Sequence, residues 1–207
     1  VRAALTRARW AGTDSVSDPI GNARRYCPSA CREYLLGALA VRAGDAVAAQ
    51  RAIRVLEAAR PATAHEAERA RYQAFALRAR LAQRAGDPAR ALALLEKGWP
   101  DRTLPQFSAY ETYAFAPERM LRAELLRALG RDREALGWYA TVDEDLGASI
   151  AWQAPSHLAR AELCERLGDR RGAALHYARF VRLWAGADPE SRPAVDRARA
   201  RLRALGG

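Results

Sequence analysis

The chain has 207 residues, half of them hydrophobic and 28% charged, with a formal net charge of +10 at pH 7. That length suits one compact domain or a short repeat array, and no apolar run reaches the roughly 18 residues that a membrane helix needs, so no membrane insertion by this segment is expected. The charge would suit a nucleic-acid binder, but the arginines are spread along every predicted helix beside Glu or Asp and Lys97 is the only lysine, so they read as the solvated helix faces of an Arg-rich coding bias and no nucleic-acid partner is expected.

Residues 1–29 are expected to hold part of a helix pair and a loop. The stretch from Val1 to Trp10 reads as an amphipathic second helix without its first, and the start at Val1, with no signal-peptide character, as a cut or processed end. Cys27 and Cys31 follow in a Cys-Pro-Ser-Ala-Cys run. Two cysteines with scattered histidines (His65, His157, His176) supply too few ligands for a metal site. Free thiols and a disulfide both remain open, and a disulfide would mean an oxidising, extracytoplasmic or extracellular setting. Cys164 falls on an apolar helical stripe and is expected to be a small core residue.

Periodicity then predicts helices over 30–43, 46–60, 63–85, 88–97, 117–129, 132–143, 155–167, 170–185 and 190–205. Residues 101–115 interrupt them with an aromatic segment of no helical period, running through Phe107, Tyr110, Tyr113 and Phe115. It is expected to lie extended, as is the segment from Gly147 to Trp152. Their rings either plug gaps between uneven repeats or line a ligand pocket.

A fourfold pattern runs through these helices. Gly44, Gly86, Gly130 and Gly168 each stand between two helical patterns, where glycine ends a helix without steric cost. Seven residues before them stand Gly37, Ala79, Ala123 and Ala161. Five after stand Ala49, Ala91, Ala135 and Ala173, and nine after stand Ile53, Leu95, Tyr139 and Tyr177. Small residues let two antiparallel helices approach, and the large apolar residue one turn on fills the space beside them.

This pattern resembles the tetratricopeptide repeat (TPR) family, most fully in Leu36-Gly37, Gly44-Asp45, Ala49, Ile53 and Pro61. The resemblance implies an all-α chain wound as a right-handed superhelix. It would have about four helix pairs, at 30–61, 63–100, 116–145 and 154–185, within a repeat region 30–189, and a terminal capping helix at 190–207. The glycines lie 42, 44 and 38 residues apart, against about 34 in the family, so extended linkers are expected. Residues 154–205 also look like the C-terminal repeat region of bacterial multidomain signalling proteins, which would make the chain the sensing tail of a kinase or transcription factor.

No catalytic arrangement stands out: there is no Gly-Lys-Ser/Thr phosphate loop, no His-Glu-x-x-His helix and no Gly-x-Ser-x-Gly elbow. The chain is therefore expected not to be an enzyme and to need no cofactor or metal. By the resemblance, the first helix of each pair lines a concave face that holds a protein or peptide. The residues it implies are Tyr34, Arg42, Gln73, Arg80, Gln83, Arg84, Glu124, Arg127, Glu162, Glu165 and Arg166, with Ala38 beside them. Tyr34 and Ala38 stand where the family's chaperone-binding members carry groove Lys and Asn, so capture of a C-terminal carboxylate is not expected. A homo-oligomer built through the solenoid ends is the structural alternative. It rests on the stripe Val195, Ala198 and Leu202 of the last helix and on the echo of Trp10-Ala11-Gly12-Thr13-Asp14 in Trp184-Ala185-Gly186-Ala187-Asp188.

Overall fold

A computed structural model describes residues 29–60, 64–99, 115–143 and 150–206, and among these the chain is all-helical, with nine helices and no strand. They are α1 (Ser29–Ala43), α2 (Ala46–Ala58), α3 (Ala64–Arg84), α4 (Pro88–Gly98), α5 (Ala116–Ala128), α6 (Asp132–Asp143), α7 (Ile150–Arg166), α8 (Arg170–Leu183) and α9 (Arg192–Ala204). Cys27 lies outside the described residues, so the Cys27–Cys31 pairing does too. So does the aromatic segment up to its last ring, Phe115.

Four turns share one geometry. Gly44, Gly86, Gly130 and Gly168 have φ of 79, 82, 73 and 79°, a left-handed conformation that costs any residue with a Cβ about 1–2 kcal/mol. In the first, the Gly44 N–H donates to the Val41 carbonyl at 3.1 Å and the Asp45 N–H to Ala40 at 2.9 Å. In the last, Gly168 donates to Glu165 at 3.0 Å and Asp169 to Cys164 at 2.8 Å. These bonds satisfy carbonyls that a helix end would otherwise leave open.

The residue after the glycine starts the next helix. Asp45 accepts from the Ala48 N–H at 2.9 Å, Asp87 from Arg90 at 2.9 Å and Asp169 from Gly172 at 2.8 Å. The third turn has Arg131 there, which donates two 2.7 Å bonds to Glu134 instead. Replacing Asp87 by Ala is expected to cost about 1 kcal/mol in urea denaturation. A change indistinguishable from zero would mean that water caps α4 equally well.

The chain divides into two compact units, Val1–Arg102 and Thr103–Gly207, and the division falls inside the aromatic segment 101–115. In the first unit α1 pairs with α2 and α3 with α4, and α3 also packs on α1 and α2. In the second α5 pairs with α6 and α7 with α8, while α7 packs on α6 and α9 on α8. The small and large positions of the sequence pattern form the cores of these pairs. Ala79, Ala123, Ala161, Ala49, Ala91, Ala135 and Ala173 are all 0% exposed, and Ile53, Leu95, Tyr139 and Tyr177 are 1, 0, 1 and 3% exposed. Gly37 is buried as well. A Cβ there would lie 2.9 Å from that of Ala52, which accounts for glycine where the other copies carry Ala.

α7 departs from expectation. Ile150–Trp152, read as extended, already belongs to it, and Pro155 lies inside the helix. Proline removes the donor for the Ala151 carbonyl, but Ala151 is exposed, so water can take that place. The stripe expected to be open on the last helix is covered: Val195 and Ala198 are 2 and 1% exposed in a core with Ala161, Cys164, Tyr177 and Phe180, and Leu202 and Leu205 pack against it.

Candidate functional site: the first-helix faces

In the first unit the expected face is only partly open. Tyr34 and Gln73, expected on a wetted surface, are 5 and 3% exposed. α3 lies on both α1 and α2, which closes over more of the face than an isolated pair would. The Gln73 Oε1 has no hydrogen-bond partner. Arg80 and Gln83 are half-buried, while Arg42 and Arg84 are exposed. The Arg84 guanidinium donates to the Arg42 carbonyl at 3.4 Å, at the C-terminal end of α1, where cations are favoured. Arg42 and Arg84 are thus the accessible part, with Arg80 and Gln83 at its half-buried edge. A cavity of about 300 Å³ in this unit draws on none of the expected residues: Leu36, Ala48, Ala52 and Val55 line it together with Arg32, Glu33 and Arg51.

In the second unit the expected residues hold one another. The Arg127 guanidinium donates to Glu162 at 2.6 Å, tying α5 to α7. Arg166 donates to Asp132 at 2.6 Å, tying α7 to the start of α6. Glu165 accepts from the Tyr177 hydroxyl at 2.6 Å and from Arg201 of α9. Glu124 is exposed. These contacts set the local electrostatics. Burial works against the charge of Arg127, yet the hydrogen bond and attraction of Glu162 leave its pKa raised. Burial, then the charge of Glu124, pushes the Tyr139 hydroxyl up to about 12. Burial and the bond to Glu165 raise that of Tyr177. The Arg201 hydrogen bond holds the Glu165 carboxyl below the usual range.

A pH dependence follows. Glu165 has a folded pKa below its unfolded value, so its contribution to stability is complete above the ordinary carboxylate pKa of about 4.3. It is lost as pH falls through the lowered folded value. Because the Arg201 end of the pair is exposed, the contribution is small. Glu165→Gln is expected to lower stability slightly at neutral pH and to converge with the wild type under acid. A gap between the two that stays constant down to pH 3, read by urea denaturation, rules this out.

His157 and His176, read as solvated or hydrogen-bonded, are 3 and 7% exposed, and their Nδ1 atoms lie 3.0 Å apart with the rings stacked. One Nδ1 must donate and the other accept, so the pair binds α7 to α8. Beside it the Ser156 hydroxyl donates to the Tyr139 carbonyl at 2.8 Å, binding α7 to α6. Neither link was legible in the sequence, where the partners stand 17 and 19 positions apart. Cys164 is 2% exposed, and burial, then the charge of Asp169, pushes its thiol up, as suits a small core residue. Among the described residues, no three His, Cys, Asp or Glu side chains are grouped to hold a metal ion. Compared with known proteins, the chain matches no family model, no curated protein and no solved structure.

Proposed function

We propose that this chain is a non-catalytic protein-interaction scaffold, built from TPR-like helix pairs wound as a right-handed superhelix and binding a protein or peptide on its first-helix faces. The observation that carries the reading is the fourfold recurrence of one turn and one buried small–small–large core. Such pairs bury their faces on their neighbours and leave side chains of the first helices for a partner. Arg42 and Arg84 form the accessible end of that surface in the first unit, with Gln83 half-buried beside them, and Glu124 adds an exposed carboxylate in the second. Tyr34 and Gln73 serve the core of their unit instead. Arg127, Glu162, Glu165 and Arg166 hold neighbouring helices in register, and a partner reaches them only at their exposed edges.

The test is capture on the immobilised full chain, with crosslinks mapped by mass spectrometry. A partner whose crosslinks fall at Arg42, Gln83 and Arg84 supports the proposal. Its affinity is expected to drop about tenfold or more in Arg42→Glu/Arg84→Glu, as for loss of anchoring charges at an interface. Capture unchanged by that variant, or crosslinks confined to α2 and α4, overturns the assignment to this face.

A further inference from the structure

α9 keeps the register of a first helix. Leu126-Arg127-Ala128-Leu129-Gly130 recurs as Leu202-Arg203-Ala204-Leu205-Gly206, and Pro117, Pro155 and Pro193 are spaced 38 residues apart, as are Gly130, Gly168 and Gly206. Gly206 has a φ of 90°, and its N–H donates to the Arg203 carbonyl at 3.1 Å. α9 therefore ends in the same left-handed turn as α5 and α7.

Its faces are different. Fourteen, nine, seven and five residues before the closing glycine, α5 carries Ala116, Leu121, Ala123 and Leu125, and α7 carries Ala154, Ala159, Ala161 and Leu163, all buried. In α9 these positions are Arg192, Arg197, Arg199 and Arg201, all exposed. A second helix of the usual apolar kind cannot close on them, because it would bury unpaired guanidinium groups. Polarity thus suits these positions to a cap.

A cap needs only polar side chains, and this one is nearly all of one sign. Arg199 and Arg203 are four residues apart, as are Arg197 and Arg201, and like charges at that spacing destabilise a helix. Arg199 is paired with Asp196 at 3.2 Å and Arg201 with Glu165. Among the described residues, Arg192, Arg197 and Arg203 are held by no carboxylate. Helical spacing places Arg192, Arg199 and Arg203 in one row and Arg197 and Arg201 in another. Between the rows runs a ridge of Pro193, Ala200 and Ala204, which is exposed.

We propose, resting on the reading of the first-helix faces as binding surfaces, that their continuation in register on α9, where Ala200 stands in the place of Glu124 and Glu162, is a second docking surface that binds an acidic segment of a partner protein. The segment lies along the ridge, whose counterparts in α5 and α7 are Pro117, Glu124 and Ala128, and Pro155, Glu162 and Arg166, none of them buried. The small residues let its backbone come close, and the guanidinium groups on both sides take its carboxylates in paired hydrogen bonds. A peptide fits better than a nucleic acid. Asp196 stands within the arginine row, where a phosphate strand would meet it, and the ridge offers apolar contact with no donors for base edges.

The experiment titrates the full chain into a fluorescently labelled helical peptide of alternating Glu and Ala turns, read by anisotropy. Binding is expected to weaken about tenfold in Arg192→Gln/Arg197→Gln/Arg203→Gln. It should be largely kept in the matching triple Lys variant, with circular dichroism confirming an intact fold in both. Arg54→Gln/Arg71→Gln/Arg90→Gln removes equal charge from exposed positions of the first unit and is expected to leave the affinity within about twofold. Arg42→Glu/Arg84→Glu should leave it unchanged too, which separates this surface from the first-helix face of the first unit. The proposal is overturned if the peptide does not bind, if the control triple weakens binding as much, or if a single-stranded oligonucleotide competes for α9 more tightly than the peptide. Self-association that the α9 variant abolishes, without peptide binding, would assign the face to a second copy and overturn it as well.

Discussion

Phe180→Ala is expected to lose about 3–5 kcal/mol of stability in urea denaturation. The ring is 0% exposed and sits at the centre of the core shared by α7, α8 and α9. Its surroundings decide the size of the effect. The neighbours Ala154, Ala161, Ala173 and Ala198 are short side chains with few rotamers to move into the space, so the cavity stays open and its cost is added to the lost transfer energy. Trp184, whose ring stands 5.1 Å from that of Phe180, loses its packing partner as well. Since Val195 and Ala198 fix α9 to this same core, amide exchange in α9 should quicken more than in α5. Leu175, also on α8 but 51% exposed, is the comparison: Leu175→Ala is expected to stay within about 0.5 kcal/mol. A loss below about 1.5 kcal/mol for Phe180→Ala would mean that the alanine-rich core can collapse after all.

How much of this was legible depends on how far apart in the chain the cause lay. Local causes were readable. A glycine with helical patterns on both sides set each of the four turns, and the apolar period set the rest, so eight of the nine helices begin and end within about two residues of expectation. The exception, α7, begins at Ile150. Pro155 was read as a first-turn residue, yet a proline one turn in is tolerated where the carbonyl it orphans is exposed. The buried triads were readable because three spacings recurred fourfold. Burial of Tyr34 and Gln73 was not, since it depends on α3 lying over α1 and α2. The same holds for the ion pairs that occupy the first-helix face: Arg127–Glu162, Arg166–Asp132 and Arg201–Glu165 join residues 35, 34 and 36 positions apart. Those separations follow the 38-residue spacing of the second unit, so they become intelligible once the helices are stacked. Taken one helix at a time, the same residues look like free charges on a solvated face.

One chemical change, Gly to Ala, is expected to act with opposite signs at two positions of the second unit. At Gly168 the added Cβ would meet nothing within 4 Å, but φ is +79°. The whole cost is therefore backbone strain, about 1–2 kcal/mol. Neighbouring side chains cannot relieve it, because none is in contact. At Gly137, within α6 and exposed, the Cβ also meets nothing within 4 Å. There the backbone is helical, and alanine stabilises by about 0.5–1 kcal/mol by restricting the unfolded chain. The two sites share no contact, so the double variant should come out near the sum of the two effects. Urea denaturation of the two single variants and the double reads all three values. Should Gly168→Ala prove neutral or stabilising, the left-handed turn is not what closes α7, and the common explanation of the four glycines falls with it.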